Sequence, residues 1–285
     1  MNVSPRPDPV RSMPPILPIS DSVSPRSPRA FSLVELLTVI AVIALLIGIL
    51  LPARANARAT SRASICASRL HQLGVALTLY LNDYPDTLPQ ATTDIGGNQV
   101  VVGTLFGGKK GSLPAYSINT MGAHDRPLNR YILDAAAPDD ADPGVFEVEA
   151  FHSPSDVGGV IPGIGRTNSM YDLLGSSYAI NDHALKQTPG EQEVATLVPN
   201  TGGKMPLIAN TSKTWVLGSY PIYNADGGGD RQHYWYLGAR STAGPSAGAG
   251  AVRANLLFAD WHVGSLLPVP ATPTNTTKQY TFFPG

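Results

Sequence analysis

The sequence predicts an α+β protein, a long N-terminal transmembrane helix packed on a mostly antiparallel β-sheet head. Three observations carry this. Residues 31–51 form an apolar run long enough to cross a bilayer. Residues 53–84 continue it at helical spacing, with apolar residues on one face. Residues 85–285 break into short runs rich in Val, Leu and aromatics, separated by Gly, Pro, Asn and Asp. No amphipathic helices join these runs, so a parallel, doubly wound sheet is not expected.

The first thirty residues hold four arginines, two aspartates and many prolines. Such a segment cannot bury enough apolar area to fold, so residues 1–30 read as a disordered leader. Next comes RAFSLVELLTVIAVIALLIGILLPARA (29–55). From Leu36 to Leu51 twelve residues are Leu, Ile or Val, and only Thr38 is polar. At about −0.3 to −0.6 kcal/mol each, those twelve favour insertion by roughly 4 to 7 kcal/mol. The run from Phe31 to Leu51 is about 30 Å long as a helix, the thickness of the hydrocarbon layer. It is apolar all round, whereas a core helix is shorter and amphipathic. It is also longer than the apolar core of a secretory signal, which has about 7–15 residues.

Past Pro52 the helix is expected to run on to about Leu81, with a gentle kink at the proline. Arg54, Arg58 and Arg62 recur every fourth residue on one face. Leu70, Leu73, Leu77, Tyr80 and Tyr84 form an apolar stripe for the head to cover. No acid occurs between Glu35 and Asp83. Arg26 and Arg29 precede the span and three arginines follow it, so the positive-inside rule leaves orientation open. The layout is therefore a leader (1–30), a helix (31–84, with 31–52 in the membrane) and a β-rich head (85–285). Strands are expected at 98–106, 144–151, 214–223, 233–238 and 254–267, and STAGPSAGAG (241–250) is a low-complexity loop.

Composition narrows the function. The formal net charge is −1, so no basic excess points to nucleic acid. Cys66 is the single cysteine, which excludes an intrachain disulfide. GTLFGGKK (103–110) nearly fits a phosphate loop, but Lys110 stands where the magnesium-binding hydroxyl belongs and Pro114 interrupts the helix that should follow. It reads as a Gly-rich loop with solvated lysines. The six histidines form no metal-ligand spacing, and no nucleophile elbow between a strand and a helix supports a triad. No metal or cofactor is expected. Asn224, Asp226 and Asp230 in NADGGGD are the calcium candidates, but Trp235 holds the loop's twelfth position, where Glu is needed. The aromatic residues of 219–238 suit either sugar stacking or cross-strand packing.

FSLVELLTVIAVIALLIGILLP resembles the N-terminal segment of type IV pilins and type II secretion pseudopilins. In that family a leader is cut on the cytoplasmic face just before a Phe, which is then methylated. A Glu sits at the fifth mature position and a Pro at the twenty-second. Phe31, Glu35 and Pro52 stand in that register, and Ala30 replaces the usual Gly before the cut. The resemblance implies processing at Ala30 and Phe31, assembly through Glu35 and Pro52, and a pilin-like fold. It further implies that Glu35 pairs with the Phe31 amine of a neighbouring subunit. Two charges about 4 Å apart gain roughly 4 kcal/mol at an effective dielectric near 20, before desolvation. Elsewhere the chain is similar to large pseudopilin-like proteins of environmental bacteria, through CASRLHQLG (66–74), SPSD (153–156), SYAIN (177–181) and NLLFADWHV (255–263). Ser153 replaces their Cys and Trp261 their Gly.

The expected function is a structural subunit of a pseudopilus or pilus-like filament, not an enzyme. Its expected partners are the prepilin peptidase, other subunits and the membrane, with no nucleic acid. The expected location is the inner membrane, single-pass, with the head outside the cytoplasm. The alternative is a membrane-anchored carbohydrate-binding module that uses the same targeting segment.

Overall fold

The computed structural model describes residues 32–134, 137, 146–161, 165–182, 184–186, 192–223, 252–270 and 274–285. Two compact units divide the chain after Leu51. Helix α1 runs over Leu33–Asp83. In the first unit, every side chain from Leu33 to Leu51 is exposed, which suits a segment whose solvent is lipid. It is the one described helix long and apolar enough to cross a membrane.

In the second unit, α1 buries Ala63, Cys66, Leu70, Leu73, Ala76, Leu77 and Tyr80. The three-four spacing keeps this stripe on one face. Tyr84, the last residue of the expected stripe, is 42% exposed. It stacks on Tyr80 at 4.7 Å, and its hydroxyl accepts from Arg130, so it closes the end of the stripe without entering the core.

The strands are short. They are β1 (Thr92–Ile95), β2 (Asn98–Val101), β3 (Gly159–Ile161), β4 (Gly165–Thr167), β5 (Tyr178–Ile180), β6 (Ala184–Lys186), β7 (Glu193–Ala195), β8 (Trp215–Ser219), β9 (Val252–Phe258) and β10 (Val263–Val269). All strand pairs are antiparallel: β1–β2, β3–β4 and β6–β7 form separate ladders, and β10-β9-β8-β5 form the main sheet. A short helix α2 (Met170–Leu174) precedes β5.

The main sheet has a core on each face. Leu217 and Leu257 pack with the α1 stripe, while Trp215, Leu256 and Phe258 pack with Tyr223, Tyr280 and Phe282. Both faces are covered, so β8 is buried at every position and does not alternate. Gly74 brings the helix close: a Cβ there would sit 3.2 Å from the Leu257 methyls. Asn255, fully buried in β9, donates to the Ala63 carbonyl of α1 at 3.0 Å. Its Oδ1 accepts from Leu266, where β10 carries a bulge and φ is 53°. One side chain thus ties helix to sheet and satisfies the bulge.

Several expected strands change character. The run 98–106 is strand only to Val101, then a 3-10 turn over Gly103–Phe106. Adjacent Leu105 and Phe106 are both buried, which a two-sided strand at an edge does not allow. The run 144–151 ends in a 3-10 turn, Glu149–Phe151, because Glu149 turns out to Arg69 while Phe151 turns in. The run 214–223 ends as a strand at Ser219, before Pro221, which cannot donate to a ladder. The run 254–267 is the β9–β10 hairpin. The run 233–238 lies outside the described residues.

Candidate processing and assembly segment

The start of α1 is built from SLVE (32–35). The Ser32 hydroxyl accepts from the Val34 amide at 3.3 Å, and the Glu35 carboxylate reaches back to the Ser32 amide at 2.9 Å. This is a variant of the capping box: the acid satisfies the amide of the hydroxyl residue three positions before it, while the hydroxyl takes the amide of Val34 rather than that of the acid. The acid also faces the positive end of the helix dipole. Ser-x-x-Glu was readable in the sequence, and its local role adds to the one the resemblance assigns to Glu35. Glu35 Oε2 takes the Ser32 amide, and Oε1 has no partner among the described residues. Pro52 lies inside α1, with its side chain outside what is described. Ala30 and Phe31, at the expected cut, also lie outside the described residues, as do Asn224, Asp226 and Asp230.

The phosphate-loop candidate is a packing joint. The amides that would cradle a phosphate are taken: Gly108 donates to Asn129 Oδ1 at 2.7 Å and Lys109 to the Gly175 carbonyl at 2.9 Å. Gly108, at φ 97°, lies against the Gly175 carbonyl so closely that a Cβ would overlap it. Lys109 is not solvated, contrary to expectation. It is buried, with Nζ 2.7 Å from Glu147, 2.6 Å from Asp172 and 4.3 Å from the centre of the Tyr171 ring. Burial alone would raise the Asp172 carboxyl, but hydrogen bonds from Lys109 and Ser169 outweigh it and hold that group below its ordinary value. Nearby, burial pushes the Tyr171 phenol well up, and its oxygen accepts from the Val148 amide. Nothing in the sequence marked Lys109 as buried, since its partners lie 38 and 63 positions away.

The other head motifs are structural as well. In SPSD, the Asp156 carboxylate accepts from the amides of Gly158, Met170 and Tyr171 and from the Ser177 hydroxyl, at 2.7–3.0 Å. It holds the start of α2 and the strand after it. In SYAIN, buried Asn181 donates to the carbonyls of Trp215 and Phe282. Ser153 and Cys66 are both fully buried, and Cys66 Sγ takes the Tyr178 hydroxyl at 3.3 Å. Trp261 follows Asp260 at φ 69°, a backbone that favours glycine, so the turn keeps its left-handed shape although the side chain is large. Tyr220 and Tyr223, from the aromatic run, are core residues, and Tyr223 donates to the Ile180 carbonyl at 2.8 Å. No group of three or more His, Cys, Asp or Glu suited to a metal occurs among the described residues.

Against known proteins, residues 25–51 match the family model described as the prokaryotic N-terminal methylation motif. No curated protein and no solved structure matches the chain. That motif, laid on an exposed apolar helix, makes the N-terminal segment of this chain consistent with that of a type IV pilin- or pseudopilin-like protein.

Proposed function

We propose that the protein is a structural, pilin-like subunit of a pilus or secretion pseudopilus, anchored in the inner membrane before assembly with its head outside the cytoplasm. The observation that carries this is the methylation motif on residues 25–51, which contains Phe31 and Glu35; in the register the resemblance gives, they are the first and fifth mature residues, and Pro52, just past the match, is the twenty-second. The prepilin peptidase removes residues 1–30 between Ala30 and Phe31. The span then holds the subunit in the bilayer, and residues 85–285 form the extracytoplasmic head. Glu35 pairs with the Phe31 amine of a neighbouring subunit and sets the stagger, and Pro52 ends the part of the helix that lies in the membrane. The role is structural rather than catalytic.

Mass analysis of the N-terminal peptide from the membrane fraction is the first test. A methylated Phe31 is expected. A chain that still begins at Met1, or is cut beyond Leu51, overturns the processing. Sheared surface material is the second test. The subunit is expected to co-purify with filaments, and its confinement to the membrane overturns the filament role.

A further inference from the structure

We propose that Arg54, Arg58 and Arg62 form a binding face for the phosphate groups of anionic phospholipids at the head-side surface of the membrane. All three are exposed on α1, at i, i+4 and i+8. None has a hydrogen bond or ion pair among the described residues. The other arginines whose side chains are described are all engaged. Arg69 binds Glu149 and the His152 carbonyl, and Arg126 three carbonyls. Arg130 binds two phenols, and Arg253 the Leu266 carbonyl. Three unengaged guanidinium groups on one ridge are free to take an external anion, and their planar forks match phosphate.

Position favours lipid. Arg54 follows the last residue of the span by three positions, so the chain keeps it within about 11 Å of Leu51 at any angle. The headgroup layer is about 5–7 Å deep on each side of the hydrocarbon, so Arg54 lies within it, whereas Arg58 and Arg62, about 10 and 16 Å of helix beyond Leu51, reach its phosphates through their long side chains and helix tilt. The ridge is uncovered: one turn on from Arg62 it reaches buried Cys66, so the head's cover begins where the arginines end. A second copy is the competing source of anions. Asp83, Asp86, Glu147, Glu149 and Asp172 are already ion-paired, but Asp94, Asp125, Asp134 and Glu193 are exposed with no ion pair among the described residues, so the test below separates the two. The inference rests on Leu33–Leu51 crossing a membrane and does not require a filament.

The test uses the full chain in a nonionic detergent with equal amounts of phosphatidylglycerol and phosphatidylcholine of the same acyl chains. Native mass spectrometry counts the lipid retained. The parent is expected to favour phosphatidylglycerol at least tenfold at low salt, with about fivefold lost per arginine removed and the preference weakening as salt screens it. The Arg54→Gln/Arg58→Gln/Arg62→Gln variant is expected to lose the preference, and the matching lysine variant to keep part of it. Should the triple glutamine variant not fold, Arg58→Gln alone carries the test, with its fivefold loss expected. Equal retention of the two lipids by the parent overturns the proposal, as does a glutamine variant that keeps the preference. Self-association of the parent in phosphatidylcholine alone, lost in the glutamine variant, assigns the arginines to a second copy and also overturns it. Filament abundance does not enter this readout, so the lipid face and the filament role fail separately.

Discussion

The Glu35 carboxylate accepts a hydrogen bond from the backbone amide of Ser32 at 2.9 Å, inside the first turn of α1. The one acid of the apolar run therefore has one of its oxygens bonded within its own helix before any neighbour is present. Capping and charge can be separated, because Gln at the third helical position closes the same box as Glu. Glu35→Gln is expected to leave membrane abundance and processing at parent levels and to lower filament abundance strongly. Breaking a buried pair costs about 3–5 kcal/mol. Glu35→Ala is expected to lose about a further 1 kcal/mol at the helix start. Comparing membrane and sheared fractions for the three chains checks this. Equal filament entry by Glu35→Gln would leave Glu35 as a cap alone.

Asn255 is the second point of leverage. Asn255→Ala removes the donor to Ala63, which is buried, and the acceptor for Leu266, which is part-buried. Leaving those groups unmet is expected to cost about 2–4 kcal/mol. At about 2–4 °C per kcal/mol for a head of this size, the melting temperature should fall by roughly 5–15 °C. Thermal unfolding followed by near-ultraviolet circular dichroism reads this directly. A fall under 2 °C would mean water or another residue takes over both bonds.

Trp261 holds a left-handed backbone and also packs on the α1 core cluster. Replacing it loses packing, so the strain appears only in a comparison of two small residues. Trp261→Gly is expected to be about 1 kcal/mol more stable than Trp261→Ala, since only the alanine keeps the penalty of positive φ. Chemical denaturation of the two variants measures the difference. Equal stability would show that the turn relaxes out of the left-handed region.

Asp172 makes the head sensitive to acid. Its carboxyl is held below the ordinary value of 3.8, so the stability it contributes is complete above that value. This stability is lost as pH falls through the depressed value, because the unfolded chain takes up the proton first. Lys109→Met removes the buried cation and leaves Glu147 and Asp172 free to hydrate. That variant is expected to show a flatter loss of stability below about pH 4 than the parent. Denaturant midpoints measured between about pH 2 and 6 decide the matter, and parallel curves would remove Lys109 from the acid response.

The sequence by itself determined what depends on neighbours along the chain. The apolar run, the three-four stripe from Leu70 to Tyr80 and the Ser-x-x-Glu start are local patterns, and α1 follows them from Leu33 to Asp83, while the stripe's extension back to Ala63 appears only in the structure. At Trp261 the departure from the resembling proteins' Gly pointed to a different turn, and the left-handed backbone there is visible only in the structure. Only the tertiary structure decided where polar side chains go. Asp156 caps α2 from 14 positions away, and Asn255 reaches a carbonyl 192 positions away. Lys109 enters the core through acids 38 and 63 positions away, and Tyr220 and Tyr223 join Phe282 under the sheet. A buried polar group is stable only where partners converge on it. That convergence is a property of the fold, not of any window of sequence, which is why a Gly-rich loop with two lysines resembles a phosphate site until its amides are seen to be occupied.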